Sequence, residues 1–124
     1  MTRSISIGYQ LEVTGMSMET EIDVRPPYFL LGTQRSSKQF WNIPRLREIG
    51  ITRLTQLSET DPIYFVGWDM LADLWREIAL LQQCLRTIEF DTNLKTEWAS
   101  HLLYCYLLLV QTAPVESRPS FIIG

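Results

Sequence analysis

Residues 4–24, SISIGYQLEVTGMSMETEIDV, decide the architecture of this chain. Ile5, Ile7, Tyr9, Leu11 and Val13 fall on every second position, with Ser6, Gly8, Gln10 and Glu12 between them, which is the period of a strand with one buried face. After Thr14-Gly15, a pair suited to a two-residue turn, the apolar phase flips to Met16, Met18, Ile22 and Val24, broken only at Thr20. An antiparallel hairpin follows, pairing Val13 with Met16, Leu11 with Met18, Tyr9 with Thr20, Ile7 with Ile22 and Ile5 with Val24. A one-residue slip would set apolar rows against polar ones, so the register is specified. The reverse face carries Ser6, Gln10, Glu12, Glu19, Glu21 and Asp23, an acidic surface for solvent.

Outward from the hairpin, Pro26-Pro27 stops the second strand and Tyr28–Leu31 reads as a third. Gly32–Lys38 is polar and basic, the composition of a loop. Pro44 opens a short helix with Leu46 and Ile49 inside and Gly50 at its end, and Thr52 can cap a second short turn bearing Leu54 and Leu57. Asp61-Pro62 marks a turn, Ile63–Val66 an extended segment, and Gly67 precedes a long helix over about 69–87, with Leu71, Leu74, Ile78, Leu81 and Leu85 at helical spacing. Asp91 or Thr92 caps a second long helix, apolar on every side after His101, which predicts a central position for its second half. Trp75 and Trp98 lie on the buried faces of these helices. Ala113-Pro114 ends the second one, and Phe121-Ile122-Ile123 can dock as a last strand. The fold class is α+β: an amino-terminal antiparallel hairpin in a small sheet, packed on two long carboxyl-terminal helices with two short helices between, as a single domain over 1–124.

At 124 residues and 46% apolar content the chain is long enough for one core and too apolar for disorder. Its longest apolar run, Leu102–Val110, is far below the roughly 20 residues of a membrane span. The amino-terminal stretch has no uninterrupted apolar core or cleavage site of a secretory signal, so the expected compartment is the cytoplasm. Cys84 and Cys105 are too few for a disulfide framework and read as small buried thiols, with a bridge between them as the alternative.

Charge is unevenly spread around the net −3. Residues 1–24 set Arg3 against Glu12, Glu19, Glu21 and Asp23; residues 25–56 set Arg25, Arg35, Lys38, Arg45, Arg47 and Arg53 against Glu48 alone; the remainder is acidic again. His101 and Cys105 stand four apart on one helical face, within reach of Cys84. Three readings are open: an incomplete zinc site, a thiol with its base, or core cysteines beside a structurally bonded histidine. No GxGxxG, GxxxxGK[ST], HExxH or GxSxG motif is present, and the helical carboxylates Asp73, Glu77 and Glu97 look outward. The sequence therefore calls for no catalytic residue, metal or cofactor.

The run Pro44–Pro62, PRLREIGITRLTQLSETDP, resembles the second half of a helix-hairpin-helix element: a helix, a Gly-Ile turn and a Thr-capped helix with two leucines. The family's phosphate-binding Gly-x-Gly hairpin is missing, since QFWNI precedes Pro44. The resemblance implies a helix pair, and it keeps nucleic acid open as a partner through Lys38, Arg45, Arg47 and Arg53. Trp41 and Trp68 flank turns, where aromatic anchors can meet a protein. Taken together, the residues point first to a non-catalytic protein that binds another, basic protein through Glu12, Glu19, Glu21, Asp23, Trp41 and Trp68. Inhibitors of nucleases, including immunity proteins against bacterial toxins, are often small and acidic for the same electrostatic reason, an analogy of type without a shared motif. A nucleic-acid binder comes second and a small enzyme third.

Overall fold

A computed structural model describes all residues, 1–124. Strands β1 (Thr2–Val13) and β2 (Met16–Ile22) form the antiparallel hairpin in the register the alternation predicts, Val13 opposite Met16 through Ile7 opposite Ile22. Thr14 and Gly15 have φ of 51° and 79°, the positive values that a two-residue hairpin turn requires. The predicted pair of Ile5 with Val24 does not form. β2 ends at Ile22, Pro26-Pro27 diverts the chain, and the Ile5 N–H donates instead to the Phe29 carbonyl at 2.7 Å.

The sheet has five strands in the order β2-β1-β5-β4, with β3 (Leu30–Thr33) pairing the start of β1. β5 (Arg118–Ile123) is an internal strand between β1 and β4 (Ile63–Val66), both antiparallel to it. One face of the sheet carries Ile5, Ile7, Ile63, Phe65, Phe121 and Ile123, which share one apolar core with Leu71, Leu74 and Ile78 of α3 (Trp68–Cys84) and Leu102, Cys105 and Leu109 of α4 (Thr92–Thr112). Asp91 caps α4 by accepting the Leu94 N–H at 3.0 Å. α+β is thus the architecture, with both long helices on one side of an antiparallel sheet.

Four local expectations are corrected. Gln34–Trp41 is a helix, α1, not a loop: Thr33 and Ser36 form a capping box, and Ser37, Phe40 and Trp41 are buried on one side. After α2 (Pro44–Glu48), the turn Leu54–Ser58 is 3-10 and takes its cap from Glu77 rather than from Thr52. α4 is not central throughout its second half, because only one layer of helices covers the sheet; Leu107 is 39% exposed while Leu109 is fully buried. Trp75 is exposed for the same reason and stacks on Tyr106 at a centroid distance of 5.1 Å, whereas Trp98 is buried against Phe40 and Phe90.

Three charged side chains lie inside. Arg3, on the inward row of β1, donates to Ser37 Oγ at 3.1 Å, the Leu57 carbonyl at 2.9 Å and Gln34 Oε1 at 3.1 Å. Burial lowers its pKa from the ordinary arginine value, while Asp61 at 3.8 Å pulls the other way. Lys95 Nζ donates to the carbonyls of Leu85 and Ile88 at 2.9 and 2.7 Å, where α3 runs out. Glu77 is wholly buried, not outward as its polarity suggests.

Candidate functional site: the uncovered sheet face

The helices cover only the inner face, so the outward rows of the sheet stand open. Strand register sets them side by side. Glu19, Gln10 and Arg118 form one row across β2, β1 and β5; Glu21, Gly8, Ser120 and Val66 form the next, reaching β4. Ser6, Ile122 and Tyr64 form a third. All of these except Tyr64 line a trough of about 580 Å³ that includes Gly8. Glycine is required there by close approach: a Cβ would lie 2.6 Å from the Thr20 carbonyl oxygen.

The trough is graded across its width. Glu19 and Glu21 form one wall, small polar groups fill the middle, and Arg118, Ile122 and Val66 form the other. Glu12, Glu19, Glu21 and Asp23 are all exposed, and none of the four carboxylates takes part in an ion pair or side-chain hydrogen bond. Gln10 Nε2 donates to Ser17 Oγ along the same edge. The uncommitted carboxylates on the β2 side lay down a negative potential that attracts cationic groups, while Arg118 in the opposite wall is cationic.

The tryptophans do not join this face. Trp41 is fully buried between Phe40 and the helices and so cannot meet a partner; its indole belongs to the core, which corrects its reading as an interface anchor. Trp68 is half-buried, and its Nε1 donates to the carbonyls of Val115 and Ser117, tying the loop after α4 to the start of α3.

Of the basic side chains of 25–56, Arg45, Arg47 and Arg53 are engaged within the chain and Arg25 lies 5.6 Å from the Tyr28 ring centroid, while Arg35 is exposed and takes part in no ion pair or side-chain hydrogen bond. Arg45 donates to Thr87 Oγ1 at 3.2 Å and pairs with Glu48 at 3.4 Å. Arg47 reaches the Thr55 carbonyl and Ser58 Oγ, and Arg53 lies over the Phe65 ring at 5.3 Å. Lys38 is exposed. Pro44–Pro62 does contain a helix and a helical turn in succession, with Gly50 at φ 104° between them.

His101 and Cys105 act on the backbone of the segment leading into β3. His101 Nδ1 lies 2.7 Å from the Leu30 carbonyl and its ring meets Tyr28 edge-on, while Cys105 Sγ donates to the Tyr28 carbonyl at 3.2 Å. Burial pushes the Cys105 thiol up to about 12, which keeps it protonated and a poor nucleophile. Cys84 and Cys105 are both free thiols. No three His, Cys, Asp or Glu side chains converge as a metal site would need, and no helix is long and apolar enough to cross a membrane.

Sequence reasoning missed the buried charges Arg3, Glu77 and Lys95. The signal was present in phase: Arg3 shares the odd-numbered row of Ile5 and Ile7, and Glu77 follows Leu74 by three and precedes Leu81 by four.

No family model, curated protein or solved structure matches the chain, so its own geometry carries the functional reading.

Proposed function

We propose that this protein is a non-catalytic binding protein that captures a basic protein on the outer face of its sheet, in the manner of a small acidic inhibitor or immunity protein. The observation that carries this reading is the row of uncommitted carboxylates, Glu12, Glu19, Glu21 and Asp23, beside an uncovered trough of about 580 Å³. Charge of one sign, left unpaired along the β1–β2 hairpin, raises the association rate of an oppositely charged partner and discriminates against acidic ones. The single histidine and Cys105 support the non-catalytic reading, since both are occupied in holding backbone.

The test is a pull-down from native lysate at low and moderate salt, comparing wild type with the combined reversal Glu19→Lys, Glu21→Lys and Asp23→Lys. A stoichiometric basic protein held by wild type and lost by the reversal is the expected result, with the circular dichroism of the two proteins unchanged. Retention of the same partner by the reversal overturns the reading. Recovery of nucleic acid alone, lost with salt and with Arg45→Ala and Arg47→Ala, transfers the function to the basic segment.

A further inference from the structure

The hairpin turn fixes which backbone groups of β2 are free. A two-residue turn makes Val13 and Met16 a hydrogen-bonded pair, so the even-numbered residues of β2 bond to β1 and the odd-numbered ones, Ser17, Glu19 and Glu21, aim their N–H and C=O groups away from it. The parity is consistent along β1, where Ser4 exchanges both backbone bonds with Gly124 on the β5 side while Ile5 bonds to Phe29 on the other. Nothing answers the outward groups of β2. It is the terminal strand of the sheet, and no turn or loop backbone reaches it. Edge strands are normally blunted by proline, charged side chains, a bulge or a covering loop. Residues 16–22 contain no proline or lysine and pair with β1 without a bulge; their charges, Glu19 and Glu21, are both acidic, so they repel an acidic strand and leave the edge open to a basic one.

We infer that this edge accepts an extended segment of the partner as a sixth strand, and that the segment alternates basic and apolar residues. The inference rests on the reading that the outer face binds a basic protein, and it names the mode of recognition. A residue added opposite Glu19 or Glu21 presents its side chain on the acidic face, where lysine or arginine fits. Its neighbours fall on the other face, beside Met16 and Met18, which are 68% and 57% exposed and whose flexible thioethers adapt to varied apolar side chains. The free backbone groups supply the main-chain bonds of strand addition. A second copy of this chain is disfavoured on the same edge, because antiparallel pairing of β2 with itself sets Glu19 and Glu21 of one copy against those of the other on a single face.

The test uses fluorescently labelled nine-residue peptides at low salt. One alternates lysine and valine, a second has the same composition in two blocks, and two more are the alternating peptide with N-methyl groups on either its lysine or its valine backbone nitrogens. The inferred pairing is antiparallel, so the residue opposite Glu19 or Glu21 exchanges both backbone bonds with it: the lysine N–H groups face β2 and the valine N–H groups face solvent. The expected result is that the alternating peptide and its valine-methylated form bind about tenfold tighter than the block and lysine-methylated forms. All binding should fall with Glu19→Lys plus Glu21→Lys. Equal binding by all four peptides, lost on that reversal, overturns strand addition and leaves the acidic face as a binding surface. Absence of binding by every peptide, or binding that survives the reversal, overturns both.

Discussion

The carboxylate of Glu77, on α3, accepts the backbone N–H of Leu54 at 2.9 Å and that of Arg53 at 3.1 Å, and so caps a 3-10 turn more than twenty residues earlier in the chain. This buried acid fastens the Leu54–Ser58 turn to the helix layer. Glu77→Ala leaves those donors without an acceptor in the interior. It is expected to cost about 2–4 kcal/mol of stability by urea unfolding, while Glu77→Gln, which keeps one acceptor oxygen, costs less. Equal losses for the two variants would show that packing and not capping is at stake.

At Gly8, strand pairing leaves no room for a side chain, because the obstructing atom is the Thr20 carbonyl oxygen of the neighbouring strand. Gly8→Ala must therefore spread β1 from β2, an overpacking cost of about 1–3 kcal/mol. Ser6→Ala, two positions along the same open face, is the control and stays within about 0.5 kcal/mol. Thermal unfolding of the two variants distinguishes them.

The Cys105 thiol, raised to about 12, is protonated in the folded protein at pH values where the unfolded chain already ionises. A raised acid pKa contributes stability below the unfolded value, near 9, and that contribution is lost as pH climbs toward 12. Stability should fall across that window by up to about 1.4 kcal/mol per pH unit from this group. Cys105→Ala should flatten that slope. Titration with a thiol reagent at pH 8 should find Cys84 modified quickly and Cys105 only on unfolding.

Trp75 on α3 and Trp98 on α4 have opposite surroundings. Trp98→Ala empties a site bounded by Phe40 and Phe90 and is expected to cost about 3–5 kcal/mol. Trp75→Ala removes a half-open ring stacked on Tyr106 and is expected to cost about 1 kcal/mol. Acrylamide should quench Trp75 emission in the folded protein and leave that of Trp98 unaffected.

The hairpin was legible because its strands are adjacent and the period of two leaves one register. Its legibility ended at Ile5, where the partners are Phe29 and Ile123, far apart in the chain and unmarked by local pattern. α1 hid behind polar composition; the capping residues Thr33 and Ser36 and the inward spacing of Ser37, Phe40 and Trp41 were the overlooked signs. The uniform apolarity of α4 says that the helix is greasy but not how many layers enclose it, so exposure at Leu107 could not be read. For the candidate site, parity placed Glu12, Glu19, Glu21 and Asp23 outward. That no helix covers them is a property of the whole topology. Trp41 was misplaced because a residue beside a turn can still point inward.

The internal pairing of β1 with β5 also constrains the order of assembly. Ser4 and Gly124, bonded to each other across the sheet, stand 120 positions apart. The hairpin can close early by local contact, but its inner row of Ile5 and Ile7 has no β5 beside it until nearly all of the intervening chain has been collected. Nonlocal pairing of this kind slows folding relative to that of local contacts and leaves an apolar strand unpaired meanwhile. The step that seats β5 between β1 and β4 is thus where nascent chains are most vulnerable to association with one another.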